Sequence, residues 1–269
     1  MNETAHRFGR AHHLVGIAGT PATPAAPVGV IVLNAGLVQR VGPFRLHVGL
    51  TRHLNACGYP TLRFDLSGLG DSGVDGSPRT RQEQVAADVT DAMQLLTSQS
   101  RCTRFVLIGL CSGAAHAHAM ARTHPQVVGV VFLDGYAYRT PGFWMRHYLR
   151  KLVRTSPIRL LKALFNRVRR AGQAHDPVFE VGFPPRAEVA ADLKDMLGRG
   201  LQLLFVFSGG ASGYFNHARQ FRECFGALAC DPGVAVHYFV AADHTYVLGK
   251  DRAALTGIVA AWLRGRFPA

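Results

Sequence analysis

Six short apolar runs mark the chain: Val28–Leu33, Thr61–Asp65, Phe105–Gly109, Val127–Leu133, Leu201–Phe207 and Val234–Val240. They are rich in β-branched residues and bounded by turn residues, which predicts strands buried on both faces. The intervals carry helical periodicity. Pro43 opens a helical stretch to Ala56, which Gly58 closes, and further helices are predicted over Thr80–Leu96, Ala114–Arg122, Phe215–Phe225 and Arg252–Arg264. Ahead of the first run, His6–Ile17 alternates as an N-terminal hairpin, and a Pro/Ala-rich loop runs from Thr20 to Pro27. Strands alternating with helices imply right-handed βαβ units and a mostly parallel sheet with flanking helices. From Tyr136 to Gly200 the periodicity is helical with no strand. This block predicts a helical lid at about 137–200, over the carboxyl ends of the strands, where open α/β sheets place their sites. The expected layout is one α/β domain over 1–269, with its core in 1–136 and 201–269.

A length of 269 residues with 48% apolar content suits one large core. No stretch approaches the roughly 18 uninterrupted apolar residues of a membrane helix. Residues Met1–Arg10 contain no apolar run of the kind a secretory leader needs, so a cytoplasmic location is expected. The five cysteines, at 57, 102, 111, 224 and 230, form no C-x-x-C pair, against both a disulfide framework and a zinc ribbon. No His-Glu-x-x-His or comparable spacing exists, and neither metal nor cofactor is expected.

The string Phe105-Val-Leu-Ile-Gly-Leu-Cys-Ser-Gly-Ala114 runs a buried strand into Gly-x-nucleophile-x-Gly and then a helix. Such an elbow holds its central residue on a strained turn and needs small residues two before and two after. Gly109 and Gly113 fit only with Cys111 at the centre, because a frame centred on Ser112 puts Leu110 in the turn. A helix N-terminus lowers a cysteine pKa, so a thiolate suits this place. The bland alternative is an inert core thiol, the usual fate of a free cysteine. The Ser112 N–H, directly after the nucleophile, is one expected oxyanion donor. The loop Leu33-Asn-Ala-Gly-Leu37 is expected to give the other, from the Leu37 N–H.

The expected base is His244, in Val240-Ala-Ala-Asp-His-Thr245 after the last strand, the order an elbow fold requires. His116 and His118 are read as packing residues, and His12 and His13 as solvated hairpin residues. The acid usually follows the strand 201–207, yet Ser208-Gly-Gly-Ala-Ser-Gly213 holds no carboxylate and Ser212 occupies the expected place. Asp134, in Asp134-Gly-Tyr136 at the carboxyl end of strand 127–133, is the candidate able to reach His244. Its alternative role is to cap the following loop. Asp243 is a second candidate, and a Cys–His pair also works without an acid. Asp65 is read as structural, a short carboxylate bonding the backbone of its own glycine turn.

Taken in order, Arg63-Phe-Asp-Leu-Ser-Gly-Leu-Gly-Asp-Ser72, Gly109-Leu-Cys-Ser-Gly113 and Asp243-His-Thr245 resemble the α/β-hydrolase superfamily over nearly the whole chain. Gln39-Arg-Val-Gly-Pro43 with Gly109-Leu-Cys111 resembles the exosortase-associated hydrolases. The site of Asp134 is similar to that in thioesterases that release polyketide and peptide chains. Dienelactone hydrolases share the cysteine elbow. The resemblance implies an α/β-hydrolase fold and acyl transfer from an ester or thioester, on a small molecule or on a carrier protein. Gly36, Tyr136 and Trp144 are expected to line the substrate site. The alternative from another class is a non-catalytic small-molecule binding protein, favoured by the carboxylate-free loop.

Net charge is +13, and Arg139–Arg170 carries ten Lys/Arg residues with no Asp or Glu. Such a balance speaks to acidic partners rather than to fold. An acidic acyl carrier protein docking on the lid is the expected partner. Anionic lipid competes with it, and nucleic acid is not expected, because Trp144 and Phe165 read as lid core.

Overall fold

A computed structural model describes residues 2–22, 26–154 and 183–268. Its centre is an eight-stranded sheet, built from β1 (Asn2–Phe8), β2 (Leu14–Thr20), β3 (Val28–Leu33), β4 (Thr61–Asp65), β5 (Arg104–Leu110), β6 (Val127–Leu133), β7 (Gln202–Ser208) and β8 (Val234–Phe239). The order across the sheet is β1-β2-β4-β3-β5-β6-β7-β8. β1 and β2 form the expected hairpin, and β2 pairs antiparallel with β4. The remaining strands are parallel, so their carboxyl ends meet at one edge.

Alternation along each strand divides the core in two. Val106, Ile108 and Leu110 join one cluster, shared with α1 (Leu46–Ala56) and α7 (Gly249–Arg266). Phe105 and Leu107 join the other, shared with α2 (Arg81–Ser100), α3 (Ser112–Thr123), α5 (Arg186–Gly198) and α6 (Gln220–Phe225). Thr80 starts α2 with a reciprocal cap: its side chain accepts from the Glu83 N–H, and Glu83 accepts from the Thr80 N–H.

Two expectations need correction. The helix read over Phe215–Phe225 begins only at Gln220. The Gln220 side chain accepts from the Asn216 N–H and donates to the Tyr214 and Tyr138 carbonyls, holding the preceding chain as a loop. Phe215 is buried by stacking on Phe207 of β7, 3.8 Å between ring centres, not by continuing the helix. The lid boundary at 200 is also too long. Val189, Leu193 and Met196 of α5 sit in the sheet-face core, and Asp192 bonds Arg122 of α3 at 3.1 Å. Thus α5 is the crossover helix between β6 and β7 and does not cover the strand ends. Of the rest of the expected lid, α4 (Pro141–Arg154) packs beside α6, where Arg146 and Thr140 both bond Glu223. Residues 155–182 of that lid lie outside the described residues.

Candidate active site

The β5–α3 junction takes a shape that two glycines make possible. Cys111 has φ 56° and ψ −116°, a strained conformation for a residue with a side chain. A Cβ at Gly109 would collide with the Gly113 carbonyl. One at Gly113 would lie 2.6 Å from the Asn34 carbonyl, so the loop after β3 passes directly against the elbow. Cys111 itself is partly exposed.

His244 stands beyond β8 on a turn shaped by Asp243. The Asp243 carboxylate accepts from the Thr245 N–H at 2.8 Å, the Thr245 hydroxyl at 2.6 Å and the Val247 N–H at 2.9 Å. Those bonds hold it well below the usual carboxylate range. Asp243 is therefore a turn former. The carboxylate on the His244 ring is that of Asp134: Nδ1 to Oδ2 is 2.7 Å. Asp134 is buried at the end of β6 with φ 50°. The Ser208 N–H reaches its Oδ1 at 2.6 Å and the Ser208 hydroxyl its Oδ2 at 2.7 Å. The Tyr214 hydroxyl donates to its carbonyl at 2.9 Å.

Charge couples the three groups. Hydrogen bonds to Asp134 and then to Cys111 push the His244 imidazolium up to about 10, against the cost of burial. The Cys111 thiol is drawn down, first by its bond to His244 and further by that ring's charge and the Ser112 N–H. Both shifts favour a thiolate–imidazolium pair. Burial does the opposite to Cys102, pushed up to about 11, and to Cys224, also raised.

The loop after β3 is clamped on two sides. The Gly36 N–H donates to the Ser112 hydroxyl at 2.7 Å, so Gly36 is taken up in holding the loop to the elbow. Among the described residues no acceptor takes the Leu37 N–H; the residue is 86% exposed. Farther along, Asn34 Nδ2 donates to the Val38 carbonyl at 2.9 Å and Asn34 Oδ1 accepts from the Leu66 N–H at 2.8 Å. Buried Asp65 accepts from the Arg40 N–H at 2.5 Å, from the Arg40 guanidinium, and from the Asp71 N–H at 3.2 Å in its own turn. Arg40 also pairs with Asp71 at 2.7 Å.

Tyr136 follows Asp134 and packs edge-on against His118 of α3 at 5.2 Å and Phe183 at 5.3 Å. Trp144 is farther out on α4, stacked on Tyr148 at 6.0 Å with the Arg139 guanidinium 5.6 Å over its ring. Ser212 is exposed on a 3-10 turn over Gly209–Gly213. His118 is buried and lowered to about 4, first by burial, as befits a packing residue. His13 is a correction: it is buried, with Nε2 3.1 Å from the Ser67 hydroxyl, which in turn donates to Asp88. The sequence reading missed Ser208 and Tyr214, whose only signal was position at and just after the carboxyl end of β7, the strand beside β6. It also missed Gly210, where a Cβ would meet the His244 Cβ at 2.7 Å. Among the described residues no group of three or more His, Cys, Asp or Glu is placed to hold a metal. No described helix is long and apolar enough to cross a membrane.

Comparison with known proteins agrees with this architecture. The family described as serine aminopeptidase, S33, matches residues 25–186, more than half of the chain. An esterase from Pyrococcus furiosus aligns over 99% of this chain and 93% of its own, with TM-score 0.64 and 14% identity. An α/β serine hydrolase without a lid, from Xanthomonas campestris, aligns over 100% and 95%, with TM-score 0.57 and 14% identity. A dienelactone hydrolase from Anabaena variabilis aligns over 99% and 98%, with TM-score 0.57 and 12% identity. No curated protein matches by sequence. Serine is named for the S33 family and the Xanthomonas protein; cysteine stands at the elbow here.

Proposed function

This chain belongs to the serine aminopeptidase S33 family of α/β-hydrolases, and from that premise we propose that it transfers or hydrolyses acyl groups of esters or thioesters through a Cys111 acyl-enzyme. The observation that carries the proposal is the line Cys111, His244, Asp134, with its 2.7 Å bond between ring and carboxylate and a thiol drawn down by the imidazole.

The thiolate attacks the acyl carbonyl, a C–S bond forms, and the carbonyl electrons move to oxygen. The N–H groups of Ser112 and Leu37 receive that oxyanion, each donor lowering the barrier by about 3 kcal/mol. As the carbonyl re-forms, the leaving alkoxide or thiolate takes the proton from His244 Nε2. Water, or an amine or hydroxyl of the substrate, then attacks the acyl-enzyme while the neutral imidazole accepts its proton. The C–S bond breaks and the thiolate–imidazolium pair returns. Asp134 keeps the ring oriented and its Nδ1 protonated throughout. Gly36 and Tyr136 flank the acyl group. A non-catalytic binding role rested on the carboxylate-free loop at 209–213; a carboxylate arriving from β6 removes that support.

Turnover of a short-chain thioester is the test. Cys111→Ala is expected to lose at least roughly a thousandfold. Ser112→Ala keeps the oxyanion N–H but frees Gly36, and is expected to lose only on the order of tenfold. Full activity in Cys111→Ala would refute the proposal.

A further inference from the structure

Exposed large apolar side chains are not scattered over this molecule. Among the described residues, every one follows the carboxyl end of a strand in the parallel part of the sheet, at the edge where Cys111 lies. Leu37 and Phe44 stand after β3, and Val240 and Leu248 after β8. On α4, Trp144 and Tyr148 are one turn apart, and so are Met145 and Leu149; all four face outward, while Phe143 points into the core. A one-sided apolar rim of this kind marks an interaction surface.

Three acids on this edge are paired with arginines: Asp71 with Arg40, Asp75 with Arg79 and Glu223 with Arg146, each at 2.7 Å; Asp243 and Asp251, after β8, are in no ion pair among the described residues. Arg45 and Lys250 are exposed beside the rim, and neither is in an ion pair among the described residues. The chain as a whole carries +13.

We infer that this edge docks on an anionic lipid surface, with α4 and the loops after β3 and β8 inserting their apolar side chains so that acyl substrate enters from the bilayer. The last clause rests on acyl transfer at Cys111; the docking does not. Two features select lipid. The apolar side chains come from four separate segments, after β3, β4, β6 and β8, at the edge that carries the site, which suits a planar interface better than a groove for one peptide or helix. Trp144 and Tyr148 on the outward stripe of a helix are side chains that settle where apolar and wet phases meet. An acidic carrier protein would answer the positive charge alone, whereas an anionic bilayer answers the charge and the apolar rim together.

The full chain is tested against phosphatidylcholine vesicles with and without phosphatidylglycerol, by co-sedimentation and tryptophan emission. Trp144 is exposed and Trp262 buried, so a blue shift reports insertion of the α4 face. Binding and a blue shift are expected only with phosphatidylglycerol. Met145→Asp and Leu149→Asp are each expected to weaken partition roughly tenfold, and Arg45→Glu with Lys250→Glu together by more than tenfold. All are exposed and outside the catalytic groups, so turnover of a soluble short-chain thioester stays at the native level. Leu248→Asp gives the same loss from a separate segment should an α4 variant misfold. Cys111→Ala binds vesicles like the native chain, which keeps the docking result independent of the chemistry. The inference is overturned if phosphatidylglycerol vesicles leave the protein in the supernatant, or if the Asp variants bind as well as the native chain. Capture by a phosphopantetheine-bearing acyl carrier protein without vesicle binding also overturns it, as does a concentration-dependent dimer that the same variants abolish.

Discussion

Cys111 and His244 shift one another in opposite directions, and that sets a pH window. The thiol is lowered by its bond to His244, and the imidazolium is raised to about 10 by Asp134 and Cys111. Alkylation of Cys111 by iodoacetamide follows the thiolate fraction. Its midpoint is expected below the ordinary thiol value of about 8.5. His244→Asn removes the cation and moves that midpoint upward. In the proposed mechanism turnover needs both ions, so it is expected to rise as the thiol ionises and to fall as the imidazolium loses its proton near 10. Peptide mapping keeps exposed Cys230 from confusing the readout. An unmoved midpoint in His244→Asn would break the coupling. Asp134→Asn keeps the shape of the carboxylate but allows the wrong tautomer, and turnover is expected to fall by roughly two to four decades; a fall under threefold would remove Asp134 from the mechanism. At this scale the sequence was informative where a side chain's position follows from its neighbours in the chain. Gly109 and Gly113 placed Cys111, and the order of motifs placed His244. The bonds from Ser208 and Tyr214 to Asp134 were illegible, because they cross between strands and no local pattern encodes them.

The turns between elements set how closely these groups approach. The 3-10 turn Gly209–Gly213 passes under the His244 loop with no room for a side chain at Gly210. Gly210→Ala is expected to push that loop outward. Stability should fall by about 1–3 kcal/mol in denaturant unfolding, and turnover by more than the stability loss explains. Unchanged turnover would show that the His244 loop adapts freely. The same stretch explains a misread element. Phe221 and Phe225 have helical spacing, but Phe215, six residues before Phe221, falls off their face; it is buried by stacking on β7, and Gln220 ties the backbone ahead of it into a loop. Apolar spacing records burial, and here a loop supplied it. By contrast the start of α2 was legible, since Thr80 and Glu83 form its cap three positions apart in the sequence, while its last turn, to Ser100, was not. The helix α5 was assigned to the lid because a crossover helix and a lid helix carry the same periodicity; only its packing on α3 separates them.

Across the whole molecule, parallel pairing brings β3, β5, β6 and β8 to one edge, and each delivers one part there: the clamped loop, the elbow, Asp134 and His244. Alternating strands and helices made that edge legible in advance, because a parallel sheet leaves no other end for its outgoing loops. Which loop carries the carboxylate was a matter of three-dimensional reach, and the acid-free segment at 209–213 spoke only for where it is not. The central claim is that these parts act together as one acyl-transfer centre. Intact-mass measurement after brief incubation with an N-acetylcysteamine thioester tests it most directly. The account predicts a single added acyl group, mapped to the peptide of Cys111, absent in Cys111→Ala, and slow to form in His244→Asn. Acyl mass on Ser112, or an unmodified chain despite rapid thioester turnover, would contradict it.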